Sequence, residues 1–183
     1  ANSIMHKLSD IGPVELATMS FGQSIQISPI QFVTAAATVI NGGNKITPHI
    51  GMKVTDADNQ VTTNLEYPVT EQAVSSETSA LMRDLLESVV AEGGGSKAQV
   101  EGYRIGGKTA TSEKYPRGTG KYISSFIGFA PAYDPQIMAF VMIDEPMGIY
   151  YGGTIAAPVV QEVFSNILPY VYLYKPLFFH VCF

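Results

Sequence analysis

Two apolar, β-favouring runs, Tyr122–Ala130 and residues 136–144, are separated only by Pro131-Ala132-Tyr133-Asp134-Pro135. A connection that short, bracketed by prolines, cannot carry a crossover, so the two runs must lie side by side as an antiparallel hairpin. A third β-like segment, residues 103–112, precedes them and predicts a three-stranded meander. Helix signals stand on either side of it. Ser28 followed by Pro29 opens a helical run over residues 30–40, with Ala35, Ala36 and Ala37 inside, and Asn41-Gly42-Gly43 closes it. Ser75 or Ser76 caps a second helix, on which Leu81, Leu85 and Val89 form a stripe beside Met82, Leu86 and Val90, before Gly93-Gly94-Gly95 stops it. Between these helices, residues 46–69 read as a hairpin or surface excursion turning at Asp56-Ala57-Asp58-Asn59. Residues 156–168, with Pro158 in the first turn, predict a closing helix. Helices, then an antiparallel meander, then a packing helix make an α+β layout.

A chain of 183 residues that is 46% apolar and 15% charged can bury a core, which excludes a disordered acidic tail. The single cysteine, Cys182, forbids an internal disulfide, and His6, His49 and His180 are scattered without metal-ligand spacing, so neither metal nor cofactor is expected. The net charge of −5 argues against a nucleic-acid partner. It also hides an asymmetry. Lys97, Arg104, Lys108, Lys114, Arg117 and Lys121 fall in one stretch with only Glu101 and Glu113, giving +4 there and −9 elsewhere. Such a segment suits capture of a carboxylate, or is a solvated basic loop. The tail, residues 171–183, has ten of thirteen residues drawn from Val, Tyr, Leu, Phe and Cys. It is too short to span a bilayer and is expected to pack on the body. No leader precedes the polar start at Ala1, which suggests a chain cut from something longer.

The chemistry concentrates around Lys108. Residues 102–109 match G-x-x-x-x-G-K-T, and residues 137–145 resemble the apolar strand ending in acid that accompanies a phosphate loop. That reading needs a buried strand before Gly102 and a helix starting at Lys108. Upstream lies Gly-Gly-Gly-Ser-Lys-Ala-Gln-Val-Glu, and downstream Pro116, Gly118 and Gly120 would break a helix. The other reading makes Gly106–Ser112 the end of an edge strand. Alternation then sets Thr109 and Thr111 on one face and Lys108 and Ala110 on the other. A lysine and hydroxyls beside a serine nucleophile hold substrate carboxylates in penicillin-interacting enzymes, whereas a plain polar edge strand uses lysine against aggregation.

Gly107-Lys108-Thr109-Ala110-Thr111-Ser112 resembles the Lys-Thr-Gly-Thr box of the penicillin-binding transpeptidases. The stretch from Ile143 through Tyr150-Tyr151-Gly152-Gly153 to Ala156-Ala157-Pro158-Val159 resembles the strand-to-helix passage of their class B members. Upstream, Met19-Ser20-Phe21-Gly22-Gln23, Ser28-Pro29-Ile30-Gln31 and Asn41-Gly42-Gly43 are similar to the helix before that box. The resemblance implies a β-lactamase/transpeptidase-like fold, an antiparallel sheet with helices on both faces. It also implies a D,D-transpeptidase that cross-links peptidoglycan stem peptides through an acyl-serine, is acylated by β-lactams, and works at the extracytoplasmic face of a bacterial membrane. By motif, Lys108 would supply positive charge near nucleophile and substrate. Thr109 and Thr111 would hydrogen-bond the substrate carboxylate, with Ala110 and Ser112 alongside. The Thr111 N–H would form half of an oxyanion hole.

Two departures accompany the resemblance. Position 110 is Ala where the family box has Gly, so a methyl is added beside the cleft. No serine is followed three places on by lysine or two places on by asparagine, and Thr111-Ser-Glu-Lys114 overlaps the box itself. The expectation is therefore the C-terminal portion of a transpeptidase domain, residues 1–183, inactive without its N-terminal part. The alternatives are a non-catalytic peptidoglycan-binding module and a phosphate-loop NTPase. The missing part would leave residues 137–143 as an apolar open edge, expected to pair with another copy, the tail or a supplied fragment.

Overall fold

The computed structural model describes residues 5–20, 22–23, 25–173 and 180–182. After a short 3-10 turn the chain forms α1 (Pro13–Met19), where Pro13 opens the helix and the Glu15 carboxylate accepts from the Gly12 N–H. This helix buries no residue, and its lack of an apolar stripe is why periodicity did not single it out. Helix α2 (Pro29–Ile40) begins as its signals demand. The Ser28 hydroxyl accepts from Gln31 N, and the Gln31 side chain accepts from Ser28 N at 3.1 Å. Gly43, at φ +94°, makes the turn out of it, and a Cβ there would overlap the Val74 carbonyl oxygen.

The excursion that follows contains β1 (Asn44–Lys45), β2 (Lys53–Thr55), β3 (Val61–Asn64) and β4 (Thr70–Gln72). Strands β2 and β3 pair as the hairpin read from the Asp56-to-Asn59 turn, and β1 pairs with β4. Helix α3 (Ser76–Ala91) is capped by the Ser75 hydroxyl, which accepts from Thr78 N at 3.1 Å. Arg83 of α3 donates to the Ile40 carbonyl at 2.9 Å and to Ser79 Oγ at 3.0 Å, while Ser79 Oγ accepts from Gly42 N at 2.9 Å. The C-terminus of α2 is thereby capped by a neighbouring helix, which fixes the two helices as a pair.

The main sheet follows: β5 (Gly106–Glu113), β6 (Tyr122–Ala130) and β7 (Ile137–Asp144), antiparallel in that order. The segment expected to start a strand at Tyr103 stays irregular up to Gly106. The Arg104 carbonyl accepts from Ala132 N outside the ladder, and its guanidinium turns to Glu87 and over the Tyr133 ring. Next come α4 (Gly152–Ile155) and α5 (Ala157–Leu173). The closing helix thus runs past the expected end at Leu168 and includes Pro169. Pro169 cannot donate to the carbonyl of Ser165, which belongs to an exposed residue. The first residues of the supposed tail therefore belong to α5. Most of the remainder lies outside the described residues, apart from β8 (His180–Cys182), which pairs in parallel with Ile137, Met138 and Ala139 of β7.

Alternating residues send the two sheet faces into two cores. Phe126, Ala130, Ile137 and Ala139 pack against Val160, Phe164 and Leu168 of α5. Ile127, Phe129 and Met138 pack against Val33, Ala37 and Ile40 of α2. Each buried Phe, Leu or Ile contributes about 1.5–3 kcal/mol. The fold is α+β with helices on both sheet faces, as the resemblance implied.

Candidate active site

Strand β5 is an edge strand, and its register decides what it shows. Lys114 N donates to Lys121 O at 2.8 Å, so these residues form a hydrogen-bonded pair just beyond the strand ends. The unbroken register that follows, from Glu113↔Tyr122 to Gly106↔Phe129, makes the even-numbered residues of β5 the ones bonded to β6. The main-chain N–H and C=O groups of Thr109 and Thr111 therefore point to the open edge. No strand among the described residues pairs with them.

The side chains obey the expected alternation. Thr109 and Thr111 are half-buried on the face shared with Phe126 and α5, while Lys108 and Ala110 are exposed on the face shared with Ile127 and α2. Lys108 Nζ donates to the Thr109 carbonyl at 2.9 Å, over the open edge. The Thr109 hydroxyl has no hydrogen-bond partner among the described residues. The Thr111 hydroxyl accepts from Gly152 N at 3.1 Å. Ser112 is exposed on the Lys108 face at the outer end of the strand. Lys108 stands inside a strand and no helix begins there, so the phosphate-loop reading of residues 102–109 fails.

Three of the six basic residues in 97–121 are paired with carboxylates from outside the segment. Arg104 pairs with Glu87 at 2.9 Å, Lys114 with Asp144 and Glu145 at 2.9 and 2.8 Å, and Lys121 with Glu145 at 3.0 Å. These hydrogen bonds hold the Lys114 ammonium above its usual range, through Glu145 first and then Asp144. Lys114 and then Lys121 hold the Glu145 carboxyl below its own. Lys108 has no carboxylate partner among the described residues, so the field that faces the open edge is its own. Arg117 reaches back to Gln23 at 3.2 Å, linking the β5–β6 turn to the segment before α2.

Behind β5 lies a contact that the sequence did not single out as functional. The Ser124 hydroxyl, fully buried, donates to the Tyr150 carbonyl, and Gly152 and Gly153 then press onto the strand. A Cβ on Gly152 would collide with the carbonyl oxygens of Ala110 and Ser125, and one on Gly153 would come 2.5 Å from the Gly94 carbonyl oxygen and 3.1 Å from Thr109 Cγ2. Tyr150 stacks on Tyr122 at 4.0 Å between ring centroids and leans on Tyr151. The Tyr150-Tyr151-Gly152-Gly153 string carried this signal; Ser124, one of two adjacent serines in a strand, carried none.

An edge strand presenting an ammonium, hydroxyls and an outward N–H carries donors of the kind that bind a carboxylate or a developing oxyanion. Residues 2–165 match the family model described as the penicillin binding protein transpeptidase domain, and the chain belongs to that family. It is 46% identical over 171 residues to the stage V sporulation protein D of Bacillus subtilis, covering 91% of this chain and 26% of that protein. It is 36% identical over 160 residues to a probable peptidoglycan D,D-transpeptidase PenA of Neisseria flavescens, covering 85% and 37%. The transpeptidase domain of penicillin-binding protein 3 from Burkholderia pseudomallei superposes with a TM-score of 0.73 at 30% identity, over 92% of this chain and 50% of that one. The chain thus spans about a quarter to a third of the length of these two curated relatives.

Proposed function

We propose that this chain is the C-terminal portion of a peptidoglycan D,D-transpeptidase domain, and that it supplies the Lys108-Thr109-Ala110-Thr111 wall of the active site. The nucleophile, a serine in a Ser-x-x-Lys segment, lies in sequence outside this chain, and so does the Ser-x-Asn relay. Its Oγ attacks the carbonyl of a D-alanyl-D-alanine amide in a stem peptide. The C–N bond breaks, D-alanine leaves with the proton taken from the serine, and the acyl group passes to an amine on a neighbouring stem, which returns a proton as the serine is freed. Lys108 leaves the strand on the α2 face and carries its charge over the open edge, where no carboxylate among the described residues meets it. Thr109 and Thr111 receive the terminal carboxylate, and the Thr111 N–H, aimed off the strand edge, receives the oxyanion. β-Lactams enter as mimics of the dipeptide. No helix among the described residues is long and apolar enough to cross a membrane, and the extracytoplasmic side, where peptidoglycan lies, is the site of action.

The observation that carries this reading is the outward-pointing Thr111 N–H three residues beyond an exposed Lys108, on an edge where no described strand pairs and no described carboxylate meets the lysine. Labelling with a fluorescent penicillin tests it. The polypeptide that joins this chain to a Ser-x-x-Lys segment should label covalently, and Lys108→Ala should abolish labelling. The chain alone should not label. Equal labelling of the Lys108→Ala variant overturns the proposal, and binding of stem peptide without labelling of the joined polypeptide would leave the non-catalytic module instead.

A further inference from the structure

The Thr111 hydroxyl is already engaged by the protein, and the direction of that bond has a consequence. Gly152 N donates to Thr111 Oγ1 at 3.1 Å, so the hydroxyl accepts there and one lone pair is taken. A hydroxyl has one proton and two lone pairs. With the amide fixed against its acceptor side, the proton is left for a partner elsewhere, and no acceptor for it is found among the described residues. Gly152 cannot drift from this position. It lies so near the Ala110 and Ser125 carbonyls that a side chain is excluded, and the preceding turn is tied down by the buried Ser124 hydroxyl donating to Tyr150 O. Ser124 is also the cross-strand partner of Thr111. It therefore holds both the strand beside Thr111 and the peptide that caps it.

We infer that Ser124 is a positioning residue: through the Tyr150 carbonyl and the Gly152 amide it sets Thr111 as a hydrogen-bond donor toward an incoming carboxylate. This rests on the proposed transpeptidase reading and adds a specificity device to it. An anionic acceptor is matched to a proton held ready for it, whereas an ester oxygen, a weaker acceptor, gains less. Without the buried tether, Thr111 could rotate or accept from water, and the preference for a carboxylate would fall while the chemistry at the acyl carbon stayed the same.

The test uses the full-length polypeptide that contains this chain and compares acylation rate constants for benzylpenicillin and its methyl ester. Ser124→Ala should slow acylation by the free acid roughly 10-fold, the loss expected when a hydrogen bond to a charged group is weakened, and leave the ester nearly unchanged. Ser124→Cys, nearly isosteric and a poor donor, should show the same selective loss if packing defects obscure the alanine variant. Thr111→Val, which removes the hydroxyl itself, should lower the ratio of acid to ester rates at least as far as the Ser124 variants do. Equal slowing of both compounds in both Ser124 variants, or no slowing of either, overturns the positioning role. A wild-type protein that is not acylated at all, or does not prefer the acid, refutes the transpeptidase reading itself and not merely this refinement.

Discussion

Gly152 lies against Ala110 so closely that the smallest side chain at position 152 would overlap the Ala110 carbonyl oxygen. The strand carrying the candidate site and the turn behind it share one surface with no slack. Gly152→Ala must therefore push either β5 or α4 aside. The expected cost is about 1–3 kcal/mol in overpacking, read as a lower urea midpoint at unchanged slope, together with slower penicillin acylation. Unchanged stability would mean that the approach is looser than described.

Ala110 itself faces away from Gly152, exposed beside Lys108. Its methyl occupies the face that carries Lys108, and avoiding it by shifting the strand costs about 1–3 kcal/mol. Ala110→Gly is expected to raise the β-lactam acylation rate in matched full-length proteins. Equal rates would show that the methyl is tolerated.

The ion cluster at the outer end of the sheet gives a pH dependence of definite sign. Glu145 is held below its ordinary value of 4.5, so its contribution is present above that value and is lost as pH falls through the lowered one. Lys114 is held above 10.5, so its contribution is present below that value and is lost as pH rises through the raised one. Between these limits the β5–β6 turn is fastened to the end of β7. Glu145→Gln should flatten the acid limb of melting temperature measured from pH 3 to 7; an acid limb of the same steepness would remove the cluster from the account. At 30–38% side-chain exposure for the Lys114–Glu145 pair, the effect should also shrink in high salt.

Just past the end of β7, Glu145 N donates to Tyr122 O, so the even-numbered residues of β7 send their main-chain groups outward. The tail strand takes the stretch around Met138, and no strand among the described residues pairs with Phe140 or Met142. This chain by itself is expected to self-associate there, and Met142→Lys should lower the associated fraction in sedimentation at rising concentration. Monomeric behaviour of the unsubstituted chain at high concentration would count against it.

The meander was legible because two apolar runs and a five-residue, proline-bracketed link admit one arrangement. The caps of α2 and α3 were legible because Ser28 and Ser75 each act within three residues. What escaped had non-local causes. The strand start at Gly106 is set by Arg104 turning to Glu87, a residue 17 positions away. Helix α5 continues through Pro169, where the residue that loses its hydrogen-bond donor, Ser165, is an exposed one. The partners of the basic segment come from elsewhere in the chain, Glu87 on α3 and Asp144 and Glu145 at the end of β7. In the candidate site the lysine, the threonines and their alternation could be read directly. Ser124 could not, since its importance depends on which carbonyl a turn 26 residues later delivers to it.

At the inner end of β5, the rings of Phe129 and Phe126 lie where side chains on Gly106 and Gly107 would be, the Phe126 ring 2.6 Å from a Cβ placed on Gly107. Only two adjacent residues of this strand can sit under those rings. Slippage by one position would bring Lys108 beneath an aromatic ring and would exchange the lysine and threonine faces along the whole box. The pair of residues without side chains thus acts as a registration mark, assigning the ammonium to one side of the sheet and the hydroxyls to the other.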